Sequence, residues 1–188
     1  NGVYTPACAF AATANCLLAS GLSPYFVDIE IDSLNMSLTD LIKKIEKTRV
    51  SASYYPEVKS AGIQFVATVG KPTPIREIAK IADEHDLYLI GDFCEAHGAK
   101  FNVEYADHFC DAAIYSFYAA HMIVAGEGGM ICTDDDDLAA LCRSIKCHGY
   151  GPGPRFTFMH IGYNSKMNEL TAAVGIEGIE KFDETFAR

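Results

Sequence analysis

Apolar and polar positions along this chain switch repeatedly between short β-like runs and helical spacing. Asn1-Gly2 leads straight into a strand, and residues 25–28 form a second short β-rich run. Between residues 38 and 47, Leu38, Leu41, Ile42 and Ile45 recur at three- and four-residue intervals, the repeat of one helix face. Residues 63–69 predict a strand, which runs into GKPTP, a breaker. Pro74 then suits the first turn of a helix reaching His85, where its missing N–H is not needed. Ile75, Ile78, Ala79 and Ile81 make the apolar face of that helix. Residues 87–90, LYLI, are continuously apolar, as expected of a strand buried on both sides. Residues 112–115 and 129–133 predict two more strands, and residues 135–147 and 165–182 two more helices. GYGPGP, at 149–154, is the clear loop.

Strands alternating with helices imply a three-layer α/β/α architecture around a mostly parallel sheet. Such sheets bind ligands beyond the carboxyl ends of their strands, so the residues to inspect follow each strand. The chain shows no internal repeat or linker, which predicts one domain, and 188 residues suffice for a sizeable core. It begins and ends abruptly, within elements, which suggests a piece of a longer protein.

Composition narrows the function classes. Hydrophobic residues make up 49% and charged residues 21%, ordinary for a globular protein. No apolar run approaches the roughly 18 residues needed to cross a bilayer. The net charge is −10, and the longest basic run is Lys43-Lys44, so a nucleic-acid partner held through phosphates is not expected. Asp134 to Asp137 reads as a solvated turn, and no metal site is expected. Seven cysteines, an odd number without CxxC or CxC spacing, argue against a zinc ribbon or a disulfide scaffold. They fit a reducing cytoplasm.

Two segments carry chemistry. Asp92 follows LYLI directly, and a carboxylate at the end of a buried strand needs a positive partner. A protonated pyridine nitrogen is one such partner; a nearby Lys or Arg is another. After the next strand comes Ser116-Phe117-Tyr118-Ala119-Ala120-His121, then Gly126-Glu127-Gly128-Gly129. Serine at a strand's end can hydrogen-bond a phosphate, and GEGG permits tight turning.

The order of these pieces resembles the DegT/DnrJ/EryC1/StrS family of sugar aminotransferases and dehydratases. The resemblance covers essentially the whole chain, through PACAFAATAN, GLSPYFVDIEIDSLNM, VGKPTPIREIAKIADEHDLYLIGDFCEAHGA, SFYAAHMIVAGEGGMICTDD and HIGYNSKMNELTAAVGIEGIE. It implies the fold-type I vitamin B6 architecture, with this chain as a partial large domain. By the same resemblance, the upstream phosphate loop and the smaller C-terminal domain lie outside it. Asp92 would pair with the cofactor's pyridine nitrogen, and Phe10 would stack on its ring. Ser116 would bind its phosphate, and Asn164 would reach that phosphate across a homodimer with shared active sites. Glu95 stands near the ring hydroxyl where glutamine is common, which weakens that assignment. Without the family context, Phe10 would be a packing residue and Asn164 a helix N-cap.

Most members end the SFxxxK string in a lysine that holds pyridoxal 5'-phosphate covalently. Here His121 occupies that place, and the nearest lysines, Lys100 and Lys146, fall outside the motif. Histidine there resembles the subgroup that removes the 3-hydroxyl of nucleotide-linked 4-keto-6-deoxyhexoses, using non-covalent pyridoxamine 5'-phosphate. An imidazole suits proton shuttling because its ordinary pKa of about 6.5 lies near neutrality. One branch of that subgroup uses an iron–sulfur cluster whose first cysteine would match Cys94. With no cysteine after Cys147, the resemblance points to the cluster-free branch, in which glutamate can supply the amino group. The competing expectations are a nucleotide-sugar aminotransferase and a lysine-less, non-catalytic relative.

Overall fold

The computed structural model describes residues 1–72 and 74–187. Its elements alternate as expected: β1 (Gly2–Pro6), α1 (Ala11–Ala19), β2 (Ser23–Val27), α2 (Leu38–Tyr54), β3 (Ser60–Val66), α3 (Ile75–Glu84) and β4 (Tyr88–Asp92). A short hairpin follows, β5 (Lys100–Phe101) and β6 (Glu104–Tyr105). Then come β7 (Ala112–Ser116), β8 (Gly129–Cys132), α4 (Asp136–Lys146), α5 (Glu169–Glu180) and α6 (Phe182–Phe186). Six strands form one sheet in the order β2-β1-β3-β4-β7-β8. The pairs β1–β2, β1–β3, β3–β4 and β4–β7 are all parallel. The described residues divide into two compact units, Asn1–Ile114 and Tyr115–Arg188, although no linker marks the boundary.

In the first unit, register fixes which side chains share a sheet face. Tyr4 pairs with Ile63 and Ile63 with Leu89, and all three are buried. Leu41 and Ile45 of α2 and Ile75, Ile78 and Ile81 of α3 are buried as their spacing predicts, whereas Ile42, expected on the same α2 face, is 42% exposed. Gln64 lies on the opposite face, where it takes a hydrogen bond from Thr5 and reaches Cys16 of α1. That face is only partly covered. Tyr88 and Ile90 share it with Gln64 and are 70% and 36% exposed, so the LYLI run is not buried on both sides. Leu87 and Leu89 point into the core, and the strand alternates.

Several boundaries shift for local reasons. The strand expected through residue 69 ends at Val66, because Val69 and Gly70 take positive φ in a short 3-10 turn. Pro74 stands just before α3 rather than inside its first turn. The last long helix starts at Glu169, not at Ser165: Asn168 accepts the Thr171 amide at 2.9 Å and caps it. The Ser165 amide instead bonds back to the carbonyl of Lys146. Asp135 caps α4 by accepting the amides of Asp137 and Leu138, which assigns the acidic run to a helix start. Among the described residues no group of three or more metal-ligating side chains converges. Nor is any helix among them long and apolar enough to cross a membrane.

Candidate active site

The first unit carries Phe10, Asp92 and Glu95, with Asp92 at the carboxyl end of a parallel strand and the other two a few residues beyond one. Phe10 follows β1 in extended conformation and leads into α1, its carbonyl accepting the Thr13 amide at 3.0 Å. Its ring is 82% exposed, so it is not part of the core of this unit. Asp92 ends β4, flanked in register by Val66 and Ile114. One carboxylate oxygen accepts the Cys94 amide at 3.1 Å, and the Asp92 carbonyl accepts the amide of Ala67 at 3.0 Å.

The thiol of Cys94 also hydrogen-bonds the Asp92 carboxylate. Burial first, then that bond and the Asp92 and Glu95 charges, push Cys94 up to about 12. A thiol so raised stays protonated and acts as a donor to Asp92 rather than as a nucleophile. Glu95 is exposed. Gly70, at φ +80°, lies close enough that a Cβ there would stand 3.3 Å from the Glu95 carbonyl oxygen.

The second unit carries Ser116, His121 and Asn164. Ser116 ends β7, and its hydroxyl accepts the Tyr118 amide at 3.2 Å. The Tyr118 carbonyl accepts the His121 amide at 3.0 Å, and the two rings meet edge-on at 6.0 Å. The segment closes on itself: the Ala125 amide donates to the Phe117 carbonyl, the Phe117 amide donates to the Gly128 carbonyl, and Tyr118 bridges Gly126. Gly126 and Gly128 have φ of +85° and +145°, so the GEGG string performs the turning expected of it. His121 thus sits inside a loop pinned at both ends. Tyr118, within SFYAAH, is the neighbour of His121 to which motif reading gave no role.

Asn164 is exposed and forms an antiparallel bridge with Cys147; the helix cap next to it is Asn168, so the N-cap reading of Asn164 falls away. Beside it, Gly128, Gly129, Lys146, Ser165, Lys166 and Thr171 line a hollow of about 280 Å³. Lys146 belongs to this hollow, and Lys100 lies in the hairpin over the Tyr105 ring at 4.6 Å. An exposed aromatic and a hydrogen-bonded carboxylate at strand ends in one unit fit a stacked, protonated heteroaromatic ring. A serine hydroxyl and a loop-held imidazole in the other fit phosphate binding and proton transfer.

The model of the DegT/DnrJ/EryC1/StrS aminotransferase family matches residues 1–188, and the chain belongs to that family. The family comprises sugar-modifying enzymes that depend on pyridoxal phosphate, mostly aminotransferases and some 3-dehydratases. A GDP-perosamine synthase of Vibrio cholerae is 31% identical over 97% of this chain and 47% of its own length. Among solved structures, an aminotransferase of the family from Brucella abortus superposes with a TM-score of 0.88 at 29% identity, over 98% of this chain and 48% of that one. A GDP-4-keto-6-deoxy-D-mannose-3-dehydratase from E. coli, with bound hydrated PLP, gives 0.80 at 30% identity, over 97% and 49%. The chain spans about half the length of the curated relatives it matches. The aminotransferase-type α/β fold expected from the sequence is therefore the fold it has.

Proposed function

We propose that this chain is the cofactor-binding part of an enzyme that removes the 3-hydroxyl of a nucleotide-linked 4-keto-6-deoxyhexose. The carrying observation is His121 in the place of a Schiff-base lysine, held in a closed loop by Tyr118. When bound, pyridoxamine 5'-phosphate supplies an amine for the sugar ketone and a ring that accepts electrons.

The chain's own residues then divide the work. Asp92 stabilises the protonated pyridine nitrogen, and Phe10 offers a stacking face. Ser116 binds the phosphate, joined by Asn164 of a second copy in a homodimer, and Glu95 lies near the ring hydroxyl. His121 would serve as the proton acceptor and donor of the site, able to return a proton to the departing hydroxyl. Glutamate restores the amine between turnovers, and no iron–sulfur centre takes part. Lysine-based transamination is the competing reading, favoured by the name of the Vibrio cholerae relative. It lacks an amine at position 121.

Three measurements test the reading. Borohydride reduction with pyridoxal 5'-phosphate leaves the chain without a covalent adduct, and iron analysis of the purified protein finds none. In the protein extended to the length of its relatives, His121→Asn abolishes dehydration of a GDP- or dTDP-linked 4-keto-6-deoxyhexose while retaining pyridoxamine phosphate. Full dehydration by that variant, or a trapped lysine in the unsubstituted protein, overturns the assignment.

A further inference from the structure

Asn35 is fully buried, and its backbone closes a tight turn: the Glu30 amide donates to its carbonyl at 2.9 Å, next to Leu34 at φ 58°. Its carboxamide faces a different segment. Nδ2 donates to the Lys71 carbonyl at 2.7 Å, and Oδ1 accepts the Thr68 amide at 3.0 Å. One side chain therefore grips both ends of the 3-10 turn that follows β3. That turn holds two successive left-handed residues, Val69 at φ 49° and Gly70 at φ 80°. A β-branched residue in that region is costly and persists only where surrounding contacts over-determine it. The turn lies against the end of β4, through the Ala67 amide on the Asp92 carbonyl and the close approach of Gly70 to Glu95.

We infer that Asn35 is a positioning residue: its buried carboxamide clamps the 68–71 turn, and through it the Asp92–Glu95 segment. The part of this inference that concerns the cofactor rests on the function proposed above. An amide supplies both a donor and an acceptor here at any ordinary pH, which an ionised carboxylate does not. In Asn35→Asp the acceptor to Thr68 survives, while an ionised oxygen faces the Lys71 carbonyl. Protonation of that carboxyl restores a donor, so the defect is reversible with pH, which a merely weakened core is not.

The test is amide hydrogen exchange on this chain, with the ratio of Asn35→Asp to unsubstituted protein taken at each pH. Near pH ~8 the Ala67 and Thr68 amides exchange about tenfold faster in the variant. The excess shrinks as pH falls towards ~5, while Ile78 in α3 shows no such recovery. Pyridoxamine 5'-phosphate affinity, read by absorbance or fluorescence, falls and recovers with the same profile. Unchanged exchange, or a defect independent of pH, overturns the clamp. Unchanged affinity in Asn35→Asp, where Asp92→Asn loses it, overturns the link to the site. If the unsubstituted chain shows no affinity at all, the functional reading fails, and the exchange ratios still decide the clamp.

Discussion

Tyr118 meets His121 edge-on, ring centroids 6.0 Å apart at 69°, and its carbonyl holds the histidine amide. Ser116 in turn accepts the Tyr118 amide, so three residues of SFYAAH form one hydrogen-bonded relay of backbone and side chain. The motif is a structural unit that sets where residue 121 can project.

Because the loop is closed by backbone bonds that do not involve the imidazole, a lysine can replace His121 without opening it. His121→Lys is expected to gain a borohydride-stable adduct with pyridoxal 5'-phosphate, seen in the intact mass, where the unsubstituted chain has none. An adduct in both proteins would assign the reactive amine to a lysine elsewhere.

Cys94 and Cys110 are both pushed up to about 12, by burial first and then by neighbouring carboxylates. At pH ~8 they should react with iodoacetamide far more slowly than exposed Cys8, as peptide mapping would reveal. The linkage has a definite sign. The folded state binds these protons more tightly than the unfolded state, so their stabilisation is complete below 9.0 and is lost as pH climbs towards about 12. Cys110→Ala should flatten the decline of the urea midpoint over that window; an unaltered slope would remove the thiol from the account.

Tyr4 is fully buried between β2 and β3, yet among the described residues its hydroxyl has no hydrogen-bond partner. Its ring packs edge-on against Tyr25 at 5.5 Å, a contact that phenylalanine keeps. Tyr4→Phe should leave stability unchanged or raise it by about 1 kcal/mol, since an unpaired buried hydroxyl is a cost. A loss of that size in urea denaturation would mean the hydroxyl is satisfied in solution.

Asp135 caps α4 through two short bonds, 2.8 Å and 2.9 Å. Asp135→Ala should lower stability by about 1 kcal/mol, with Asp135→Asn close to the unsubstituted protein, as thermal melts would register. Added calcium should leave the melting temperature unmoved, since the carboxylate is committed to backbone amides. A calcium-dependent rise would revive the acidic run as a cation site.

Local pattern determined the order of strands and helices, the core stripes of α2 and α3, and the strand ends at which Asp92 and Ser116 lie. Those follow from side-chain periodicity and from the breakers between elements, which act over a few residues. The ordered blocks of motif also determined the family and singled out His121. Only the tertiary structure decided which face of β4 is covered, since Leu89 and Ile90 are equally apolar in sequence and differ in what packs over them. Helix α1 escaped notice for a similar reason: it is a nine-residue, alanine-rich segment with little contrast between its faces. Asn35 was illegible because its partners lie 33 and 36 residues away. A polar side chain looks alike on the page whether solvated or fully buried, and its role depends on hydrogen bonds that exist only once distant segments meet.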